Sequence, residues 1–600
     1  LLVPGLVDRA RLIGAPGSNA DGHALVWARI VPSPLAEEGQ QPVFAVIDQA
    51  LARVRATHPA VVLQWTGVNR FAAASRARIE SEMGLLNTFS LVAVLGVSCV
   101  FVRRIYKVLH LVPVILLSIA GAWTVSTLVF DRLHILVFVI GSLLSGVAID
   151  YGFYIYMQPS LRPDEPYAGK LRRLLKPLLA SCLTTVIGFS LLLFSELPLI
   201  RQIGLFVGAG LLCALGAAML YFAQLSRPLL EGREFGVVGG ERASRGWRLL
   251  SRYGFLVVVA VALIGLARLQ WRDDIRQLDV PSTELNANES QVRALFGEST
   301  GRTIYLTQGA SVAEAREHLA AFLAYRAAED PGVAAASVGL LLPTEGDWRA
   351  MGARLGRLAA FADDFRAALD RHGFTPASFS PFFESWEWFR TQGAAPDYAS
   401  LTARFGAMLT GPLSLLSNTR GAPFWFLTLV EQADGPPPPA GLHTVGLNQL
   451  QSLNQLFTRY RWSALKLSLV GLALVIASVF AIYPVARGVR IATIPAGSCF
   501  FVFGVLGWVG ESLNLFHLLG AFLGVCLSHN YAIFSSDNAA RGGAPPVSIR
   551  LSALSTAASF GVLGFSRIPV VHALGVTVAL IVMSALAFVE LEPMLRRART

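Results

Sequence analysis

The stretch "DRLHILVFVIGSLLSGVAIDY", residues 131–151, decides the fold. It is apolar from Ile135 to Ile149 apart from small residues, and it ends on a carboxylate and a tyrosine. The stretch "ESLNLFHLLGAFLGVCLSHNY", residues 511–531, repeats its pattern 380 positions later. A second matched pair, "FSELPLIRQIG" at 194–204 and "FSRIPVVHALG" at 565–575, is offset by 371. The nine-residue change in offset falls in the loop that begins "QPSLRPDEPYAGK", which is longer in the first copy. The chain therefore reads as two parallel repeats, an organisation common in membrane transport folds.

Working outward, the 600 residues are 54% hydrophobic and only 15% charged, with a mean hydropathy of +0.54. Soluble domains carry about a quarter charged residues, so the bulk composition is that of a membrane protein. The net charge of +11 does not indicate nucleic acid. Its basic residues cluster between apolar runs, as in "RRIYK" at 103–107, "KLRRLLK" at 170–176, "RASRGWR" at 242–248 and the terminal "RRART", which is the positive-inside signature. The five cysteines, Cys99, Cys182, Cys213, Cys499 and Cys526, all lie in apolar runs and read as packing residues.

Runs long enough to cross a hydrocarbon core of about 30 Å occur at 86–102, 107–130, 134–157, 174–195, 202–225, 247–270, 463–484, 488–510, 514–537, 549–567 and 570–590. The expectation is eleven visible spans, with a twelfth upstream of Leu1 required by the repeat. Residues 85–228 hold spans 2–6, 229–246 a cytoplasmic linker, 247–270 span 7, 461–592 spans 8–12 and 593–600 a cytoplasmic tail. Residues 1–84 read as the C-terminal part of one soluble α/β domain, with "ALVWARIV" and "AVVLQWTG" as strands around a helix in "PVFAVIDQALARVRATH". Residues 271–460 read as a second α/β domain, helical in "SVAEAREHLAAFLAYRAAED" and "DWRAMGARLGRLAAFADDFRAALDRHG", with a strand in "RTIYLTQ". The basic loops place both soluble domains on the periplasmic side.

Asp150 lies about two turns from the end of its span. An ionised aspartate at a membrane helix centre costs roughly 2.5–3.5 kcal/mol on insertion scales. Apolar surroundings favour the neutral acid, which makes Asp150 a candidate for proton exchange. Ser142, Gly146 and Asp150 recur every four residues and give a small polar stripe that allows close helix approach. In the second repeat Asn530 and Tyr531 stand in the places of Asp150 and Tyr151, and Asn530 cannot titrate. His529 beside it can, since an imidazole ordinarily does so at about pH 6.5; Ser528 adds a hydroxyl. Thr184 and Thr185, with Ser555 and Thr556, offer hydroxyls to a polar relay, although such residues also bond their own helix backbone. Asp131, Glu196, Glu511 and Glu590 sit near span ends, as do His110, His134, His517 and His572, and no pair has metal-ligand spacing on one helix. Neither a nucleophile elbow nor a phosphate-binding glycine loop is present in the sequence, so no cofactor is expected and the energy source is an ion gradient. In "FTPASFSPFFESWEWF", residues 374–389, Phe379, Phe382, Phe383, Trp386 and Phe389 are candidates to line an apolar substrate path, against ordinary packing.

Duplicated five-helix blocks with large soluble domains and a "GVAIDY" carboxylate resemble the RND superfamily, and the Asp-Tyr pair resembles its MMPL branch of lipid exporters. "WRDDIRQLDVPSTELNANESQVRALFG" is similar to the bacterial "predicted exporter" group, some members of which accompany aryl-polyene or related pigment clusters. The resemblance implies a polytopic α-helical membrane protein of the bacterial inner membrane, with two pseudo-symmetric repeats and two α/β periplasmic porter-like domains. It implies proton-driven export of a lipid or lipid-like hydrophobic molecule, with protons and the membrane as partners and a homo-oligomer or periplasmic lipid carrier left open. It also implies cross-helix hydrogen bonds that join Asp150 to Tyr531 and bring Tyr151 opposite Asn530. The replacement of the second aspartate by Asn530 departs from that pattern and leaves Asp150 as the sole acidic carrier, with His529 as candidate substitute. Two alternatives remain: a non-pumping lipid-binding, sterol-sensing-like membrane protein, and a protein-translocation accessory factor, against which the size of the 271–460 domain counts.

Overall fold

The computed structural model describes residues 40–60, 62, 64–102, 108–157, 166–225, 259–260, 262–272, 282–296, 303–351, 360–391, 397–409, 411–432, 437–447, 449–540 and 547–597. The chain divides into two compact units. One comprises Leu1–Thr66 and Leu285–Ser452; the other comprises Gly67–Glu284 and Leu453–Thr600.

The second unit is helical. In the first repeat run α1 (Val68–Val102), α2 (Val112–Val129), α3 (Ile135–Tyr156), α4 (Tyr167–Leu191) and α5 (Pro198–Ala223); in the second, α6 (Gln449–Ile482), α7 (Val485–Val509), α8 (Leu515–Ala540), α9 (Val547–Leu563) and α10 (Pro569–Arg597). Each helix of the first set answers to the one five places later. Eight helices among the described residues are long and apolar enough to cross a membrane; α9 is apolar but shorter, at 17 residues. Helical residues also occupy 259–260 and 262–267, inside the span expected at 247–270. The boundary expected at residue 84 falls inside α1, because "NRFAAASRARIESEMG" is charged yet built of good helix formers, so its polarity does not end the helix.

The burial of these helices sorts them into an interior and a rim. The apolar window of α8 is wholly buried, whereas those of α1 and α6 are only about a fifth buried. Leu91, Val92, Leu116, Leu117, Leu469, Val470 and Leu474 face outward, and an apolar surface of that extent is what a lipid-facing rim requires. The interior packing is crossed. Helix α3 lies against α9 and α5, and α8 lies against α4 and α10.

Close approach depends on glycine at related places. A Cβ on Gly146 of α3 would stand 2.7 Å from the Ser559 Cβ on α9, and one on Gly188 of α4 would stand 2.5 Å from the Cys526 Sγ on α8. Ser559 and Gly188 are repeat counterparts, as are Gly146 and Cys526, so the same contact is built twice with the small residue on opposite partners.

The first unit carries a five-stranded sheet in the order Ala335–Ser337, Phe424–Val430, Thr303–Gly309, Thr444–Gly446, with Ser417–Asn418 also on Phe424–Val430. All pairings are antiparallel, and Thr303 stands opposite Val430. The expected strand in "RTIYLTQ" is its centre. The helix Val312–Glu329 covers it through Ala315 and Leu319, which pack with Phe426. Ser311 caps this helix by accepting from the Glu314 N–H at 3.1 Å, while the Glu314 carboxylate accepts from the Ala310 N–H at 2.7 Å, the reciprocal pattern of a capping box. The helix expected in "PVFAVIDQALARVRATH" is present as Gln40–Thr57.

"AVVLQWTG" (60–67) differs from expectation, since its described residues form no strand. Val62 is 83% exposed. A strand is held by a neighbouring ladder and a half-buried face, and an apolar run by itself supplies neither. "ALVWARIV" lies outside the described residues.

Candidate functional site

Asp150 is 1% exposed, on the face of α3 that meets α9. The Thr556 hydroxyl donates to its Oδ2 at 3.5 Å and to the Gly146 carbonyl at 3.1 Å. Ser552, one turn earlier on α9, also faces the carboxyl. The other carboxyl oxygen, Oδ1, is buried without a hydrogen-bond partner among the described residues.

The second repeat holds the mirror contact. The Thr185 hydroxyl on α4 donates to the Asn530 Oδ1 on α8 at 3.2 Å. Thr185 is the counterpart of Thr556 and Asn530 that of Asp150, so each repeat's threonine serves the other repeat's central helix. Between the two pairs the rings of Tyr154 and Phe534, again counterparts, stack with centroids 3.7 Å apart and planes 12° from parallel.

The pairs implied by the resemblance are arranged differently. Tyr531 is buried and faces Asp150, Ser552 and Thr556, but its hydroxyl forms no hydrogen bond among the described residues. Tyr151 lies beside Cys182 of α4, and its hydroxyl is likewise unpartnered there; Asn530 bonds Thr185 instead. His529 turns its Nδ1 to the Val525 carbonyl of its own helix at 2.8 Å, and its Nε2 is buried without a partner. Ser528 bonds the Gly524 carbonyl at 2.7 Å. Thr184 and Ser555 bond back to the Ser181 and Ser552 carbonyls, each at 2.9 Å. The Ser142 side chain lies outside the described residues.

Asp150 Oδ1 and the Tyr531 hydroxyl, on facing residues, are thus buried polar atoms without partners among the described residues. Each such atom costs about 1–3 kcal/mol relative to a bonded one, and native structures keep few of them. Sequence reasoning did not single out Tyr154 and Ser552, whose oxygens are 3.3 Å apart, or Ser90 of α1, 2.6 Å from Ser559. The four-residue spacing from Asp150 to Tyr154 was the available signal.

The aromatic candidates belong to the first unit. Phe379, Phe382, Phe383 and Trp386 lie on a short turn and the helix Ser380–Thr391, facing the helix Phe361–Arg371. Phe365 centres the group at 5.3 Å from Phe382 and 5.9 Å from Phe383, and Phe361 lies 4.8 Å from Trp386. They pack on one another, yet Phe382 stays 41% exposed. The Phe389 side chain lies outside the described residues.

Apolar helices with an exposed apolar rim, crossed in pairs about a buried polar centre, define a polytopic helical membrane protein. The MMPL family model matches residues 14–223, the segment that carries Asp150, Tyr151, Thr184 and Thr185. Over that segment, about a third of the chain, the protein is similar to the MMPL family. No curated protein matches it.

Proposed function

We propose that this protein is a transporter that exports a lipid or lipid-like hydrophobic molecule from the bacterial inner membrane, driven by protons that Asp150 carries. The observation that supports the reading is a carboxylate, the only buried one among the described residues, set against a threonine of the opposite repeat in the interior of an apolar bundle. In its ionised form Asp150 would draw the Thr556 hydroxyl, 3.5 Å away, into a charge-assisted bond, the stronger kind. Protonation removes that charge, so the preference of α3 for α9 weakens and the crossed packing of the two repeats can shift. Helices α1 and α6, of 35 and 34 residues, exceed the roughly 20 that a bilayer needs. They are suited to carry such a shift beyond the membrane, and an apolar cargo would meet exposed rings such as Phe361, Phe374 and Phe382.

The test is reconstitution in proteoliposomes after mass spectrometry has identified the co-purifying lipid. Export of that lipid should need an imposed proton gradient and should be lost in Asp150→Asn, while the variant keeps its fold. Normal export by Asp150→Asn would sink the reading. The loss of the second carboxylate at Asn530 favours one rival, a lipid-binding protein that does not pump. Transfer indifferent to a collapsed gradient would support it.

A further inference from the structure

The two repeats differ in a hydroxyl as well as in a carboxylate. Tyr154 lies one turn beyond Asp150 toward the C-terminal end of α3, and its hydroxyl is 3.3 Å from the Ser552 Oγ. Both residues are fully buried. Ser552 in turn faces the Asp150 carboxyl. The Tyr154 ring is fixed by its stack on Phe534, which leaves the phenol little freedom to point elsewhere. At the mirror position Phe534 has no hydroxyl, and the counterpart of Ser552 is Ser181. The Ser181 Oγ is buried without a hydrogen-bond partner among the described residues. Among the described residues a bonded pair of hydroxyls therefore adjoins the acidic site, while the corresponding serine of the other repeat has no such partner.

We infer that Tyr154 and Ser552 form the hydroxyl relay through which Asp150 exchanges its proton. In the inward direction Ser552 gives its hydroxyl proton to the carboxylate and receives one from Tyr154, which takes one from a hydronium ion and leaves water behind. Each hydroxyl ends as it began, and the net change is one proton on Asp150. The outward direction reverses each transfer. The Tyr154 and Ser552 side chains position the proton and touch no cargo.

This inference rests on the reading that Asp150 carries protons, and one experiment separates the two. The full chain is reconstituted in vesicles, and the infrared band of a protonated carboxylic acid is followed after rapid exchange of water for heavy water at constant pH. Asp150→Asn should remove the band; a spectrum unchanged by that substitution overturns the proton-carrier reading and the relay with it. Tyr154→Phe, which keeps the ring stack, should retain the band but slow its isotope shift by about a hundredfold or more, the lower end for loss of a positioned proton-transfer group. Ser552→Ala should slow it similarly, and it decides the matter should the tyrosine variant fail to fold. Phe534→Tyr should leave the rate unchanged. Exchange at the wild-type rate in Tyr154→Phe or in Ser552→Ala, with the band lost in Asp150→Asn, overturns the relay alone.

Discussion

The centre on α3 carries Asp150 and Tyr154 and meets a bonded Ser552 on α9, whereas the centre on α8 carries Asn530 and Phe534, and the counterpart serine on α4, Ser181, is unpartnered among the described residues. The backbone arrangement is nevertheless shared, down to threonines that cross between repeats at 3.5 and 3.2 Å. Duplication thus preserved the packing and let the chemistry diverge. A bundle of this kind needs both halves for shape but only one for a titratable group, because a neutral amide satisfies a threonine hydroxyl as well as a carboxylate does.

Moving the carboxylate tests that division most severely. Asp150→Asn should lower proton-coupled export by about a hundredfold or more, the range for removing an acid–base group. Adding Asn530→Asp should return little of it, and Phe534→Tyr on top should return more, because Ser181 then gains a hydroxyl partner. Full recovery with Asn530→Asp alone would show that the two sites are equivalent and that Tyr154 adds nothing.

The shared packing can be challenged at its glycines. Gly146→Val and Gly188→Val should each destabilise by about 1–3 kcal/mol through overpacking, read as lowered thermal unfolding in detergent. Gly216→Ala is the control: a Cβ there meets nothing within 4 Å, and it should be neutral or slightly stabilising. Unequal losses at Gly146 and Gly188 would mean that the two crossings do not bear the same load.

Thr556→Val and Thr185→Val should each cost about 0.5–1.5 kcal/mol, as for hydrogen bonds between neutral groups. Double-mutant cycles with Asp150→Asn and Asn530→Ala would measure the two couplings directly. A coupling for Thr556 clearly larger than that for Thr185 would indicate a carboxyl that is ionised in the resting protein. The smallest effect belongs to the orphan hydroxyl. Ser181→Ala should leave thermal stability unchanged or slightly raised, since that oxygen has no bond to lose.

Much of this was legible in the sequence. The two offsets gave the repeats, the apolar runs gave the helices, and Asp150 stood out because charge is so rare in those runs. The Asp-to-Asn difference was equally plain. Tyr154 was not, because an aromatic in "GFYIY" is indistinguishable from packing until its hydroxyl has a partner. The implied Asp150–Tyr531 bond illustrates the same limit: adjacency in a motif places both residues near the centre but does not decide which oxygen reaches which. "AVVLQWTG" failed as a strand for a related reason, since pattern cannot supply a neighbouring ladder.

The sequence by itself determined that this chain is a duplicated membrane bundle with one interior carboxylate, because hydropathy and repetition are properties of the chain alone. Only the tertiary structure decided that Thr556 rather than Tyr531 bonds Asp150, that Thr185 takes Asn530, and that Tyr154 stacks on Phe534 with its hydroxyl at Ser552. Hydrogen bonds depend on distances of a few tenths of an ångström between helices far apart in sequence, and those distances are set by how the helices pack.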